Sequence, residues 1–272
     1  RTMRATVMVD NRKNDKLQGE WGLSIYIEYR GKKLLLDAGA SGLFVTNAQK
    51  LGIELEEIDL AVLSHAHYDH ANGMKAFFEK NSKAKFYLRE SSAENCYSKM
   101  WVLHKYIGIP KNILSEYPDR IMFAEGDLQI GDGMYLIPHK TPGLEAIGKR
   151  EKMYQKKGSR WQPDDFSHEQ SLVMETEKGL IIFNSCSHGG AMNIINEIAA
   201  TFPGKKIYAL IGGFHLYNKS SSEVRELGKR IKETGIQYVC TGHCTGERAY
   251  AVLKEELGDT LHQLQTGMVM EF

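Results

Sequence analysis

Ser64-His65-Ala66-His67-Tyr68-Asp69-His70 directly follows the apolar run Leu60-Ala61-Val62-Leu63, and this junction decides how the chain is read. It places three imidazoles and a carboxylate within a few residues. Neutral imidazole and carboxylate are the ligand types that suit zinc, iron or manganese. His65 and His67 alternate as on an extended segment and can point to one side. Asp69 and His70 fall past the bend, within reach of a second ion. A polar surface loop is the competing reading, but so many buried donors would each need a separate partner, which is expensive. The stretch therefore reads as a metal site at the end of a strand.

The global numbers suit an enzyme acting on a small molecule. A chain of 272 residues, 42% hydrophobic and 25% charged, can bury a large core. The net charge of +1 gives no reason to expect nucleic acid or an acidic membrane as partner. No apolar run approaches the roughly 18–20 residues of a spanning helix, and no signal peptide is visible. Position 1 is Arg, so the first residue or two are expected to come from processing or from an added expression sequence. Cys96, Cys186, Cys240 and Cys244 form no disulfide pattern, which predicts a reducing, cytoplasmic setting. The oligomeric state is left open by the sequence, and a dimer is compatible with it.

Strands and helices alternate along most of the chain. Ala5–Val9, Gly22–Glu28, Lys33–Asp37, Leu60–Leu63 and Lys85–Leu88 read as strands in the first half. Ser171–Glu175, Leu180–Phe183, Lys206–Ile211 and Ile236–Cys240 do so in the second. Helical spacing covers Phe44–Leu51, Met74–Lys80, Met192–Ala200 and Glu223–Glu233, with Gly52 as a helix stop. The expectation is one α/β domain over 1–272, two β-layers covered by helices. An insertion at about 90–168 breaks the rhythm and is expected to fold over the site as a lid.

Three later histidines end strand-like runs beside small residues: His188 after Ser185-Cys186-Ser187, His215 after Gly212-Gly213-Phe214, and His243 in Thr241-Gly242-His243-Cys244. Glycine lets backbone approach a ligand closely, and strand ends are where open α/β architectures collect functional groups. Each alone reads as a packed histidine. Together with the first cluster they supply donors for two metal ions.

His65-x-His67-x-Asp69-His70 after a strand, with Asp37 ending an earlier one, resembles the metallo-β-lactamase fold superfamily over nearly the whole chain. Ser185–His188, Gly212–Leu216 and Thr241–Gly246 resemble its dihydropteroate-synthase-like branch, whose named members are methanopterin-pathway synthases joining a pterin to an aminobenzene ribosyl phosphate. The resemblance implies an αββα four-layer sandwich with a dinuclear site at one edge of the sheets. It implies His65 and His67 as ligands of one metal, Asp69 and His70 of the second, and His243 completing the second. Asp37 is implied as an orienting group behind the ligands. One departure is plain. Hydrolases of the superfamily carry histidine after Thr-Pro-Gly, whereas here Thr141-Pro142-Gly143 precedes Leu144. His188 is expected to supply the missing imidazole, and Cys186 to sit where a bridging carboxylate would. A thiolate would favour zinc, an all-N/O site iron or manganese.

His104, His139, His168 and His262 have no clustered partners in the sequence and are read as background. Lys149 and Arg150, within a basic stretch reaching Arg160, could hold a phosphate at the mouth of the site, and Trp161 could stack on a ring. Asp69 and His215 are the candidate catalytic groups, His215 as a proton donor or an extra ligand. The expected activity is metal-dependent hydrolysis of a phosphoester or phosphodiester small molecule. Two ions about 3.5–4 Å apart would lower the pKa of a water between them and polarise the electrophile. The alternatives are a pterin-type synthase or transferase and a metal-binding sensor with little turnover.

Overall fold

The structure is a computed structural model that describes residues 3–272; Arg1 and Thr2, on which the expectation of a processed start falls, lie outside it. The strands in the first half are β1 (Arg4–Val9), β2 (Ser24–Tyr29), β3 (Lys32–Leu36), β4 (Leu60–Val62), β5 (Phe86–Arg89), β6 (Tyr97–Met100) and β7 (Leu103–Tyr106). Next come β8 (Ile121–Ala124), β9 (Leu128–Gly131), β10 (Met134–Pro138), β11 (Met153–Lys157) and β12 (Arg160–Pro163). The last are β13 (Gln170–Thr176), β14 (Gly179–Phe183), β15 (Ile207–Ile211), β16 (Tyr238–Thr241), β17 (Leu261–Gln263) and β18 (Val269–Glu271). Helices α1 (Leu43–Leu51), α2 (Tyr68–Ala71), α3 (Met74–Lys80) and α4 (Ile113–Glu116) belong to the first half. They are followed by α5 (Glu145–Arg150), α6 (Ala191–Thr201), α7 (Ser221–Glu233) and α8 (Glu247–Leu257).

One seven-stranded sheet runs β18-β1-β2-β3-β4-β5-β8 and a second runs β17-β16-β15-β14-β13-β10-β9. Strand alternation divides each into two faces. Ile25, Ile27, Leu34 and Leu36 of the first sheet meet Leu172, Met174, Ile181 and Phe183 of the second in a shared core. Between them in sequence, Tyr26 and Leu35 turn outward to pack with Phe44, Ala48 and Phe77 of α1 and α3. Val173, Ile182 and Leu210 turn outward on the second sheet, against Ile194, Val224 and Leu253 of α6, α7 and α8. Three apolar interfaces thus separate four layers, αββα. No helix among the described residues is long and apolar enough to cross a membrane.

Parallel pairing explains where the site falls. β3, β4 and β5 run parallel, as do β14, β15 and β16. Their carboxyl ends therefore lie at one edge, the position at which α/β sheets bind ligands. Asp37, the Ser64–His70 stretch, His188, His215 and His243 all follow one of these strands.

Residues 90–168 do not form one insertion. Ile121–Ala124, Leu128–Gly131 and Met134–Pro138 in the middle of that stretch are strands of the two main sheets. The additional element is a four-stranded sheet, β12-β11-β6-β7, assembled from two separate hairpins. A break in sequence rhythm hid the sandwich strands because they are short and lie between irregular segments.

Gly212 shows how closely the site loops are packed. At φ 140°, its place for a Cβ lies 1.8 Å from the Asn184 carbonyl oxygen. Gly212→Ala is expected to destabilise the protein by about 1–3 kcal/mol, because backbone and not a flexible side chain blocks the methyl. Denaturant unfolding checks this.

Candidate metal centre and active site

Asp37 is fully buried, with φ 60°, and organises the first histidines. Its Oδ1 accepts the Ser64 N–H at 2.7 Å, and its Oδ2 accepts the Ser64 hydroxyl at 2.6 Å and His70 Nδ1 at 2.6 Å. A carboxylate only accepts, so Ser64 spends its one hydroxyl proton on Asp37. His65 Nδ1, 2.7 Å from the same Ser64 oxygen, must then donate to it. The neutral ring has one N–H, so the Nε2 of both His65 and His70 is left as a bare lone pair. His243 is fixed in the same way from another loop. Its Nδ1 lies 2.8 Å from Asn11 Oδ1, and its backbone N–H donates to Asp10 Oδ1 at 3.1 Å.

These lone pairs fall into two groups. His65, His67 and His188 bring one donor atom each to within 4.8 Å of one another, and Asp69, His70, Cys186 and His243 do likewise. In the first group His65 Nε2, His67 Nε2 and both ring nitrogens of His188 have no hydrogen-bond partner among the described residues. Four buried orphans at about 1–3 kcal/mol each would rival the stability of a whole domain. Burial, with neighbouring imidazoles adding to it, holds His65 and His188 well below the ordinary histidine range and His67 down at about 3. Neutral rings with free lone pairs are what a metal requires.

In the second group His70 Nε2 and His243 Nε2 are 3.1 Å apart, and Asp69 Oδ2 lies 3.0 Å from one and 3.4 Å from the other. Three acceptors at such spacings repel unless a cation or proton sits among them. The edge of a tetrahedron with metal–nitrogen bonds of 2.0–2.1 Å is about 3.3–3.4 Å, so the spacing fits a divalent ion. Without one, burial disfavours a charge on His70, but Asp69 and Asp37 outweigh it and push its pKa up to about 10. Cys186 Sγ, 3.2 Å from His70 Nε2, adds a soft donor to this group. Burial pushes its thiol up, and only a bound cation would favour the thiolate there.

Behind the donors, polar groups absent from the sequence reading hold the loops. His139 and His168 are not background, because both have buried partners. His168 Nδ1 accepts the Ala66 N–H at 3.0 Å between the first two histidines, while its Nε2 faces Asp164 Oδ2 at 3.0 Å. Glu169, fully buried, accepts the N–H groups of His188 and Gly189 at 2.9 Å each. His139 bridges Glu169 at 2.7 Å to Glu197 at 3.0 Å. Burial opposes its charge, but the two carboxylates prevail and raise its pKa to about 9. Except for Asp164, four residues from His168, these partners lie 19 or more residues away in sequence, where spacing gives no sign of them.

A cavity of about 300 Å³ opens beside His188 and is lined by His215, Phe214, Leu216, Arg150, Lys219 and Arg230 among others. His215 is outside both donor groups; its Nε2 is 3.5 Å from Glu151 Oε2 and its Nδ1 has no partner among the described residues. Arg150 reaches the cavity but pairs with Glu223 at 2.6 Å. Lys149, next to it on α5, is not among the lining residues, because the helix turns it to solvent. Trp161 is also elsewhere, on the four-stranded sheet, stacked on His104 at 3.7 Å between ring centroids. Leu144 is buried and offers no donor. Asp37, Ser187, His215 and His243 all have positive φ without being glycine, a strained geometry that collects at functional sites.

A family model described as the metallo-beta-lactamase superfamily matches residues 22–152. The chain is 28% identical, over 95% of its length and 92% of the relative, to 7,8-dihydropterin-6-methyl-4-(beta-D-ribofuranosyl)-aminobenzene-5'-phosphate synthase of Methanocaldococcus jannaschii. It is 30% identical to a solved structure, Tm1679, described as a metal-dependent hydrolase of the beta-lactamase superfamily, with a TM-score of 0.84 over 99% of each chain. A diphosphatase of the PhnP family shares the fold at a TM-score of 0.59 and 12% identity, over 99% of this chain and 98% of that one.

Asp37→Asn keeps the shape but replaces an acceptor with an amide that can donate. His70 would then turn an N–H toward the second group, and metal affinity should fall about 10–100-fold, read as metal retained per folded chain at limiting zinc. His139 gives a pH signature. Its pKa lies at about 9 in the fold against 6.5 unfolded, so its stabilisation is complete below 6.5 and is lost as pH rises through about 9. Unfolding free energies across that window should decline in the parent protein, and His139→Gln should remove that component.

Proposed function

Since the chain belongs to the metallo-beta-lactamase superfamily, we propose that it is a metal-dependent hydrolase of a phosphoester or phosphodiester small molecule. The observation that carries this reading is the pair of donor groups, His65/His67/His188 and Asp69/His70/His243 with Cys186, beside a cavity of about 300 Å³. Two divalent ions bound there would activate a water and draw electron density from phosphorus. Zinc is the ion this reading favours, because Cys186 adds a soft donor.

The chain's own residues would do the rest. Asp37, through Ser64, keeps His65 in the tautomer that presents Nε2, and does the same for His70 directly. Asp69, whose Oδ2 lies among the donors of the second group, would orient the attacking water. His215, which lines the cavity and whose Nδ1 has no hydrogen-bond partner among the described residues, would carry a proton to the departing oxygen, with Glu151 facing its other nitrogen at 3.5 Å. Apolar Phe214 and Leu216 keep that side dry. Four unpaired cysteines support a reducing, cytoplasmic setting.

A second reading is a pterin-type synthase, favoured by the full-length likeness to the methanopterin-pathway enzyme. The same donors would then activate a diphosphate as leaving group, and product formed from a pterin diphosphate and an aryl amine would distinguish it.

Purified protein should hold two transition-metal ions per chain and cleave an activated phosphodiester, and His67→Ala should lose metal and turnover together. A His67→Ala variant with full metal loading would sink the ligand assignment.

A further inference from the structure

The cavity beside His188 includes the start of α6, and that helix end is built to meet an anion. Helix α6 runs for 11 residues, has no side-chain cap and carries no acidic residue in its first turn. Its first backbone bond from N–H to the fourth carbonyl back is Ile194 to Gly190, at 3.0 Å. The N–H groups of Ala191, Met192 and Asn193 precede it and have no carbonyl of their own helix to meet, and all three residues line the cavity.

Ser187 supplies an independent sign. It is only 2% exposed, lines the same cavity, and its hydroxyl has no hydrogen-bond partner among the described residues. Its backbone is fixed in a left-handed conformation, φ 52°, with its N–H held by Asn184 Oδ1 at 2.9 Å. A strained, buried residue with an idle hydroxyl at an uncapped helix end is unexplained by folding alone.

On the other walls Arg230 and Glu226 form no ion pair among the described residues, and the remaining charges are paired. Arg150 pairs with Glu223 and Lys219 with Glu151, and the cavity's carboxylates belong to α7 or follow α5. The α6 side contributes none. Phe214, Leu216 and Leu227 give the cavity an apolar wall.

We propose that a phosphate group other than the one cleaved, carried on an apolar organic body, is anchored by Ser187 Oγ and the first-turn N–H groups of α6. The body lies against Phe214 and Leu227, and the anchor, adjoining His188 in sequence, presents the rest of the molecule to the donor groups. This deepens the proposed function and rests on it for the substrate's presence, but its test reads binding and not turnover.

The probes are inorganic phosphate and phenylphosphonate, titrated calorimetrically into the metal-loaded protein. Phenylphosphonate should bind more tightly than inorganic phosphate, because only it reaches the apolar wall; equal affinities would mean that free phosphate is the natural occupant and overturn the organic body. Ser187→Ala should weaken phenylphosphonate about tenfold, the size of a hydrogen bond to a charged group, with metal content unchanged. Ala191→Pro is the second variant: it deletes one N–H at a position where proline suits a helix, and it should weaken binding as well. Unchanged affinity in both variants, or no binding by the parent protein, overturns the anchor. Loss of affinity in the variants of a protein that cleaves no phosphodiester would sustain the anchor and refute the hydrolase reading.

Discussion

One buried carboxylate sets the chemistry of this molecule. Asp37 accepts from Ser64 and from His70, and through the Ser64 hydroxyl it also fixes His65. It thereby reaches one imidazole in each donor group and points both lone pairs the same way. Remove that constraint and either ring can turn an N–H toward its neighbours, and the cluster becomes an ordinary buried hydrogen-bond network. With it in place, the interior edge of the sandwich holds bare donors that only a cation satisfies well.

The fold exists to make this constraint possible. Asp37 directly follows β3 and the His65–His70 stretch follows β4, its parallel neighbour, so the carboxylate and the rings meet without a long loop. The second sheet brings His188 and His243 from its own parallel strands to the same edge. Glu169 grips the His188 backbone and Asn11 fixes the His243 ring, while the His188 ring itself has no hydrogen-bond partner among the described residues. Strain at Asp37, Ser187, His215 and His243 is held in place by the surrounding packing.

Much of this was legible in the sequence. The strand–His-x-His-x-Asp-His junction is local, so spacing alone places its side chains; the alternation in β2 declares a two-faced strand, and the short apolar runs of β3, β13 and β14 mark strands buried on both faces. What stayed hidden depends on distance. His139 meets Glu197 across 58 residues, and Asn11 meets His243 across 232. No periodicity records such pairings. The short strands β8, β9 and β10 were lost inside an irregular stretch, and Lys149 and Trp161 drew attention by composition although the chain turns them elsewhere. Cys186 could be suspected from its place beside His188, but only the three-dimensional arrangement brings its sulfur to His70.

The account stands or falls on what occupies the two donor groups. Anomalous diffraction from crystals of the purified protein, recorded above and below the zinc edge, tests it most directly. It predicts two peaks per chain, one bound by His65, His67 and His188 and one by Asp69, His70 and His243. A single peak, or ions outside both groups in fully folded protein, would contradict it.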